Sequence, residues 1–209
     1  MVMGVNDVDY PVQIKETLPK DVGKQKQKLI WRCPYYKTWM NMLTRVYSDS
    51  YKSKNKSYND CTVCEEWKYL SNFIKWVDCQ PNRDWENCAL DKDLLSHNMS
   101  HYSPENCCFI SNTINGFLAI LNVDNRGKLL LGVTYYRYSK TKKYRAVCNN
   151  PFTGKSTWLG SYEDETEAHK AWQAKKHEYA CILADKQTDP RVAKALRERY
   201  APDKDWTNK

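Results

Sequence analysis

A chain of 209 residues with 41% hydrophobic and 13% aromatic content buries enough apolar surface to order itself despite 28% charged residues, which excludes a disordered polymer. That length allows one large domain or two small ones of ~100–150 residues each, and the net charge of +8 bears on partners rather than on fold. No apolar run approaches the ~18 residues of a membrane span, and MVMGVNDVDYPVQ lacks a basic-then-apolar leader, so a cytoplasmic protein without a membrane partner is expected. Nine cysteines, odd in number and irregular in spacing, read as reduced, mostly packed thiols.

Residues 1–28 are polar and without a sustained period, which predicts a loosely ordered arm. Tyr36, Trp39, Leu43 and Val46 then recur at helical spacing behind Pro34, and Ser48-Asp49-Ser50 ends that helix. The Ser-, Lys- and Asn-rich run Tyr51 to Asn59 reads as a surface loop, and Trp67, Leu70, Phe73, Ile74 and Val77 mark a second amphipathic helix to about Asp78. Between Trp85 and Phe117 the period shortens. A strand in Ala89 to Leu95, a loop to Tyr102, a return strand in Cys107 to Ile110 and a helix capped by Ser111 and running through Leu121 together predict a ββα unit.

Asp124-Asn125 and Arg126-Gly127 give a linker with turn chemistry. Three strand-like runs follow, Leu130 to Tyr136, Tyr144 to Asn149 and Thr157 to Tyr162, joined by turns at 139–142 and 150–154. A long helix comes next, with Asp164 and Glu167 as its capping box and Ala168, Trp172, Tyr179 and Ile182 as its buried stripe. Asp189-Pro190 opens a last short helix to about Tyr200, after which the chain is expected to fray. The fold class is therefore α+β: a ββα unit with flanking helices, then a three-stranded antiparallel sheet packed on one helix. The boundaries are 1–28 for the arm, 29–122 for the first domain, 123–186 for the second, and 187–209 for the helix and tail.

The chemistry concentrates in residues 90–115, LDKDLLSHNMSHYSPENCCFISNTIN. Attack on a phosphodiester builds negative charge on the phosphate and the leaving oxygen, so a nuclease supplies a hard cation and a base for water. Asp91 on the first strand and Asn115 on the helix offer oxygen ligands for one Mg²⁺ or Mn²⁺. These residues, together with CPYYKTWMNML, CTVCEEW, LDKD, YSPENCCF and the closing Ile-Asn, resemble phage-encoded HNH (His-Me finger) endonucleases, many of them homing-like, over residues 29–121. The resemblance implies a ββα-metal fold, with Asp91 and Asn115 as metal ligands and Asn106 as the asparagine that ties the loop to the hairpin. Where well-known members place a general-base histidine directly after the metal aspartate, this chain has Lys92. An ordinary lysine, with a pKa of ~10.4, is a poor base at neutral pH, so Lys92 is expected to contact phosphate instead, while His97 or His101 becomes the candidate for activating water. Cys61-x-x-Cys64 is half of a zinc pattern whose second half is missing, and zinc is not expected.

From Arg126 to Gly160 the basic residues are Arg126, Lys128, Arg137, Lys140, Lys142, Lys143, Arg145 and Lys155, with no Asp or Glu among them. Gly132-Val133, Tyr144-Arg145-Ala146, Leu159-Gly160-Ser161-Tyr162 and Thr166-Glu167-Ala168 with Ala171-Trp172 resemble the apetala-two (ethylene-response-factor) DNA-binding domain, which also occurs beside phage HNH domains. That family lays a three-stranded sheet in the major groove. Without the resemblance the reading is the same, because a twisted sheet fits that groove and arginine pairs with guanine. Alternation assigns Tyr135, Arg137, Lys143, Arg145, Lys155 and Trp158 to the DNA face, with Leu131, Val133, Ala146 and Leu159 toward the helix. The expectation is a metal-dependent endonuclease acting on double-stranded DNA in the host cytoplasm, with no nucleotide cofactor. The alternative is a DNA-binding regulator or defence antagonist that keeps an inactive HNH-like fold.

Overall fold

The computed structural model describes residues 4–18, 27–96, 100–119 and 129–206. The chain is mixed α+β with a three-stranded antiparallel sheet. No helix among the described residues is long and apolar enough to cross a membrane.

The N-terminal segment departs from the expected arm. Strands β1 (Gln13–Thr17) and β2 (Gln27–Arg32) pair antiparallel. Val5 bridges Tyr69, Asp7 accepts from the Ser71 amide and hydroxyl, and Val8 and Val12 pack on the first core. Helix α1 (Pro34–Tyr47) follows, with proline in its first turn and Trp39, Met42, Leu43 and Val46 buried. The run expected as a loop contains helix α2 (Asp49–Lys54), because Ser48, whose amide closes α1 on the Thr44 carbonyl, also accepts from the Tyr51 amide through its hydroxyl and caps the next turn. Strand β3 (Thr62–Val63) and helix α3 (Leu70–Asp78) complete this part. Leu70, Phe73 and Val77 of α3 meet the α1 stripe, and the Trp39 indole donates to the Trp67 carbonyl at 2.7 Å.

Strands β4 (Cys88–Asp91) and β6 (Cys108–Ser111) pair antiparallel, with Asp91 opposite Cys108. Between them, β5 (His101–Tyr102) pairs in parallel with β3. Helix α4 (Asn112–Leu118) leaves β6 at once, capped by the Ser111 hydroxyl on the Ile114 amide. The helix stops at Leu118, with Ala119 already at ψ +117°, short of the expected Leu121; the linker at 124–127 lies outside the described residues.

The C-terminal sheet orders as β7 (Val133–Tyr135), β8 (Tyr144–Asn149) and β9 (Ser156–Tyr162), each antiparallel to its neighbour. Helix α5 (Glu165–Ala184) begins at Asp164, whose carboxylate accepts from the Thr166 and Glu167 amides. Val133 and Ala146 of the sheet meet Ala168 of α5. Gly132 adopts φ +75°, and the indole of Trp172 fills the space where a side chain would begin. On α5 the buried residues include Ala168, Trp172, Tyr179, Ala180 and Leu183, whereas Ile182 is exposed, so the stripe drifts off the expected position in the last turn. Helix α6 (Pro190–Arg199) starts at the Asp189 cap. The described residues beyond it, 201–206, are ordered where fraying was expected: Trp206 is buried, stacks on Tyr200 at 5.0 Å, and donates to the Arg199 carbonyl.

One buried cluster takes Leu94, Cys108, Ile110, Ile114 and Phe117 together with Trp172, Leu183, Leu196 and Tyr200. Lys176 of α5 enters this seam, donating to the Phe117 carbonyl at 2.6 Å and lying 3.7 Å over the Phe117 ring. Burial pushes Lys176 down to about 8, and no carboxylate among the described residues pairs with it. A folded-state value below the unfolded one means that the unfolded chain binds more protons between pH 8 and about 10.4, so this group makes the fold gain stability as pH rises through that window. Lys176→Met should stabilise the protein at pH 7 by ~1–3 kcal/mol and flatten the rise above pH 8, read by urea unfolding at a series of pH values. A destabilised Met variant with an unchanged pH profile would contradict this.

Candidate functional site

The β4–β6 pair and α4 bring the expected metal-site residues into one unit. Asp91 ends β4 and is half-buried; its Oδ1 accepts from the Leu94 amide at 2.7 Å and the Asp93 amide at 3.1 Å. No hydrogen bond among the described residues reaches Oδ2. Burial is the largest influence on this carboxyl and raises it above its ordinary value, while Arg199 is the nearby cation pulling it down. Asn115 sits on the exposed side of α4, one position after the buried Ile114. No hydrogen bond among the described residues joins the two side chains. As a donor set, one carboxylate and one amide oxygen match a hard divalent cation that keeps several waters. Among the described residues no group of three or more His, Cys, Asp or Glu is placed to hold a metal, and the Asp–Asn pair falls outside that pattern. Burial pushes the Cys64 thiol up to about 11 and raises Cys61 in the same direction, so both stay protonated near neutrality.

Lys92 does not share the surroundings of Asp91. Its side chain is buried over the rings of Tyr58 and Tyr102 at 5.8 and 6.0 Å, and its ammonium bonds Asp93 at 2.5 Å. Burial pulls this lysine down, but the bond and charge of Asp93 outweigh it, and the net shift is upward. Lys92 therefore keeps its proton and cannot serve as a general base at neutral pH. His101 shares a 2.7 Å hydrogen bond between Nδ1 and the Thr62 hydroxyl across the β3–β5 pair. It lines an open recess with Cys64, Glu66 and Glu105, and Asp91 is not among the residues lining it. The Asn106 amide donates to the His101 carbonyl at 3.2 Å, tying the 103–106 turn to β5. His97 lies outside the described residues.

On the C-terminal sheet, register sorts the expected face. Thr134, Arg145 and Ser161 share one row, and Val147 and Trp158 the next residues on that side. Trp158 is 67% exposed, Arg137 and Lys155 are exposed, and Lys143 is half-buried. Tyr135 is corrected: it stands opposite Tyr144, two residues from Val133, and so belongs to the helix-facing side, at its open end. Leu131, Val133 and Ala146 are buried and Leu159 packs against them, as alternation required. Sequence reasoning missed Tyr136, whose ring carries the Arg145 guanidinium at 3.2 Å. The signal was present in the two-residue step from Thr134 to Tyr136. Arg145 Nε is buried without a hydrogen-bond partner, and no sheet cation joins an ion pair among the described residues. This face is thus cationic, aromatic and electrostatically unsatisfied.

No protein-family model, curated protein or solved structure matches the chain.

Proposed function

We propose that the protein is a metal-dependent DNA endonuclease of HNH type, docked on duplex DNA by the outer face of its C-terminal sheet. The observation that carries the reading is the strand–strand–helix unit, with Asp91 at the end of β4, Asn115 on α4 and Asn106 bracing the intervening turn. In the docking step, Arg145, held flat on Tyr136, presents its guanidinium to guanine edges or phosphate, and exposed Arg137 and Lys155 neutralise the backbone. Asp91 and Asn115 would hold Mg²⁺ or Mn²⁺. Such an ion polarises a phosphate oxygen and lowers the pKa of bound water. The upward-shifted, half-buried Asp91 carboxylate, with one oxygen free of hydrogen bonds, suits a cation partner.

Incubating the purified chain with supercoiled plasmid and Mg²⁺ or Mn²⁺ should give nicked or linear product that EDTA abolishes. Arg145→Ala should weaken duplex binding and make the slope of log affinity against log salt shallower by about one, because each phosphate contact contributes about 0.9. Equal affinity and slope in both proteins would remove Arg145 from the interface. A second reading, DNA binding without cleavage, is favoured by one observation: the residue following the metal aspartate is a buried, protonated lysine committed to Asp93. A wild type that binds duplex but cuts nothing with either metal would select it.

A further inference from the structure

A polar cleft of about 610 Å³ lies between α1 and β4, away from the sheet. Lys37 and Arg45 of α1 and Arg32 at the end of β2 line it, against a single carboxylate, Glu86. Lys37 and Arg45 are separated by about 12 Å along the helix, at ~1.5 Å per residue. That is too far to meet on one small anion, and the spacing suits a polyanion laid along the groove.

Arg45 supplies the second observation. It is half-buried, reaches the Tyr102 hydroxyl at 3.5 Å and lies 5.6 Å over the Tyr58 ring. No carboxylate among the described residues forms an ion pair with Arg45, Lys37 or Arg32. A guanidinium drawn out of water without an acid is costly unless an anion joins it. The opposite wall of the cleft runs along β4 to Leu90, and the next residue in the strand is Asp91.

We infer that this cleft holds the sugar–phosphate backbone of duplex DNA beside Asp91, as a phosphate track separate from the sheet; the inference rests on the endonuclease reading. Sheet and cleft then grip the same duplex at two places.

The test uses a 30-base-pair duplex and fluorescence anisotropy over a salt series, with the full-length chain. Arg32→Ala combined with Lys37→Ala removes two exposed cations without disturbing the core. This variant should lose roughly tenfold in affinity at moderate salt and shift the salt slope by about two, at about 0.9 per phosphate contact. Lys54→Ala combined with Lys75→Ala removes the same charge from exposed positions outside the cleft and should leave the slope unchanged. Arg45→Gln, checked by near-ultraviolet circular dichroism for a native fold, should shift the slope by a further unit. If the cleft variant and the control behave alike while Arg145→Ala still weakens binding, the track is refuted and the sheet contact stands. A wild type that fails to bind the duplex at low salt overturns both.

Discussion

Asp91→Ala should abolish metal-dependent cleavage, lowering the nicking rate by a factor of at least ~100, while duplex affinity stays within about twofold. On the proposed reading there is a division of labour: cations of the sheet and the cleft would supply binding, and Asp91 is the only carboxylate that β4 and α4 carry for a metal. Asp91 also accepts two backbone amides, so alanine loosens the turn at Asp93 and Leu94 and costs about 1 kcal/mol of stability. Asp91→Asn separates the two effects. It keeps the acceptor for those amides and removes the negative charge, so it should fold like the wild type and cut as poorly as alanine. Plasmid nicking with Mg²⁺ and with Mn²⁺, alongside anisotropy on the same samples, reads both quantities. Undiminished cleavage by the Asn variant would place the metal elsewhere.

Gly132→Ala should destabilise the fold by about 3 kcal/mol or more, a large share of the ~5–15 kcal/mol typical of a native protein. Two costs combine there. The backbone sits at φ +75°, which costs an alanine ~1–2 kcal/mol, and its methyl would stand 2.0 Å from the Trp172 ring, adding ~1–3 kcal/mol of overpacking. In a chain of this size the midpoint of thermal unfolding should fall by about 6–12 °C. Trp172→Ala, itself expensive because it empties a buried site, should make the second substitution less harmful, since it removes the two ring atoms at 2.0 Å and leaves the backbone strain and the residue-172 Cβ at 2.6 Å. A double-mutant cycle by urea unfolding reads that coupling. Additive effects would mean that the indole is not what the glycine accommodates.

The helices were the most legible part of the sequence. Trp39, Leu43 and Val46, then Leu70, Phe73 and Val77, announced α1 and α3 by spacing, and Ser111, Asp164 and Asp189 announced the caps of α4, α5 and α6. The β8 strand was bounded to the residue. What escaped depended on partners far along the chain. Strands β1 and β2 are almost wholly exposed and carry no clean alternation, so their pairing left no periodic mark. The β3–β5 pair is two residues long and joins segments 39 apart. Ser48 reads equally as the end of one helix and the start of another, and the structure uses it for both.

The candidate site divides along the same line. That Asp91 ends a strand and Asn115 lies on the following helix was readable from pattern. That Lys92 turns into the pocket of Tyr58 and Tyr102, and that Arg145 lies on Tyr136, was not, because both contacts form only once separate segments pack. Tyr135 was misassigned although parity with Val133 already placed it on the helix side.

The seam in which Ile110, Ile114 and Phe117 meet Trp172, Leu196 and Tyr200 joins the two halves through one buried cluster. On the proposed reading, the sheet and Asp91 then behave as the fixed jaws of a caliper. The bond that is cut would stand at a constant number of base pairs from the bases that are gripped, whatever sequence lies between.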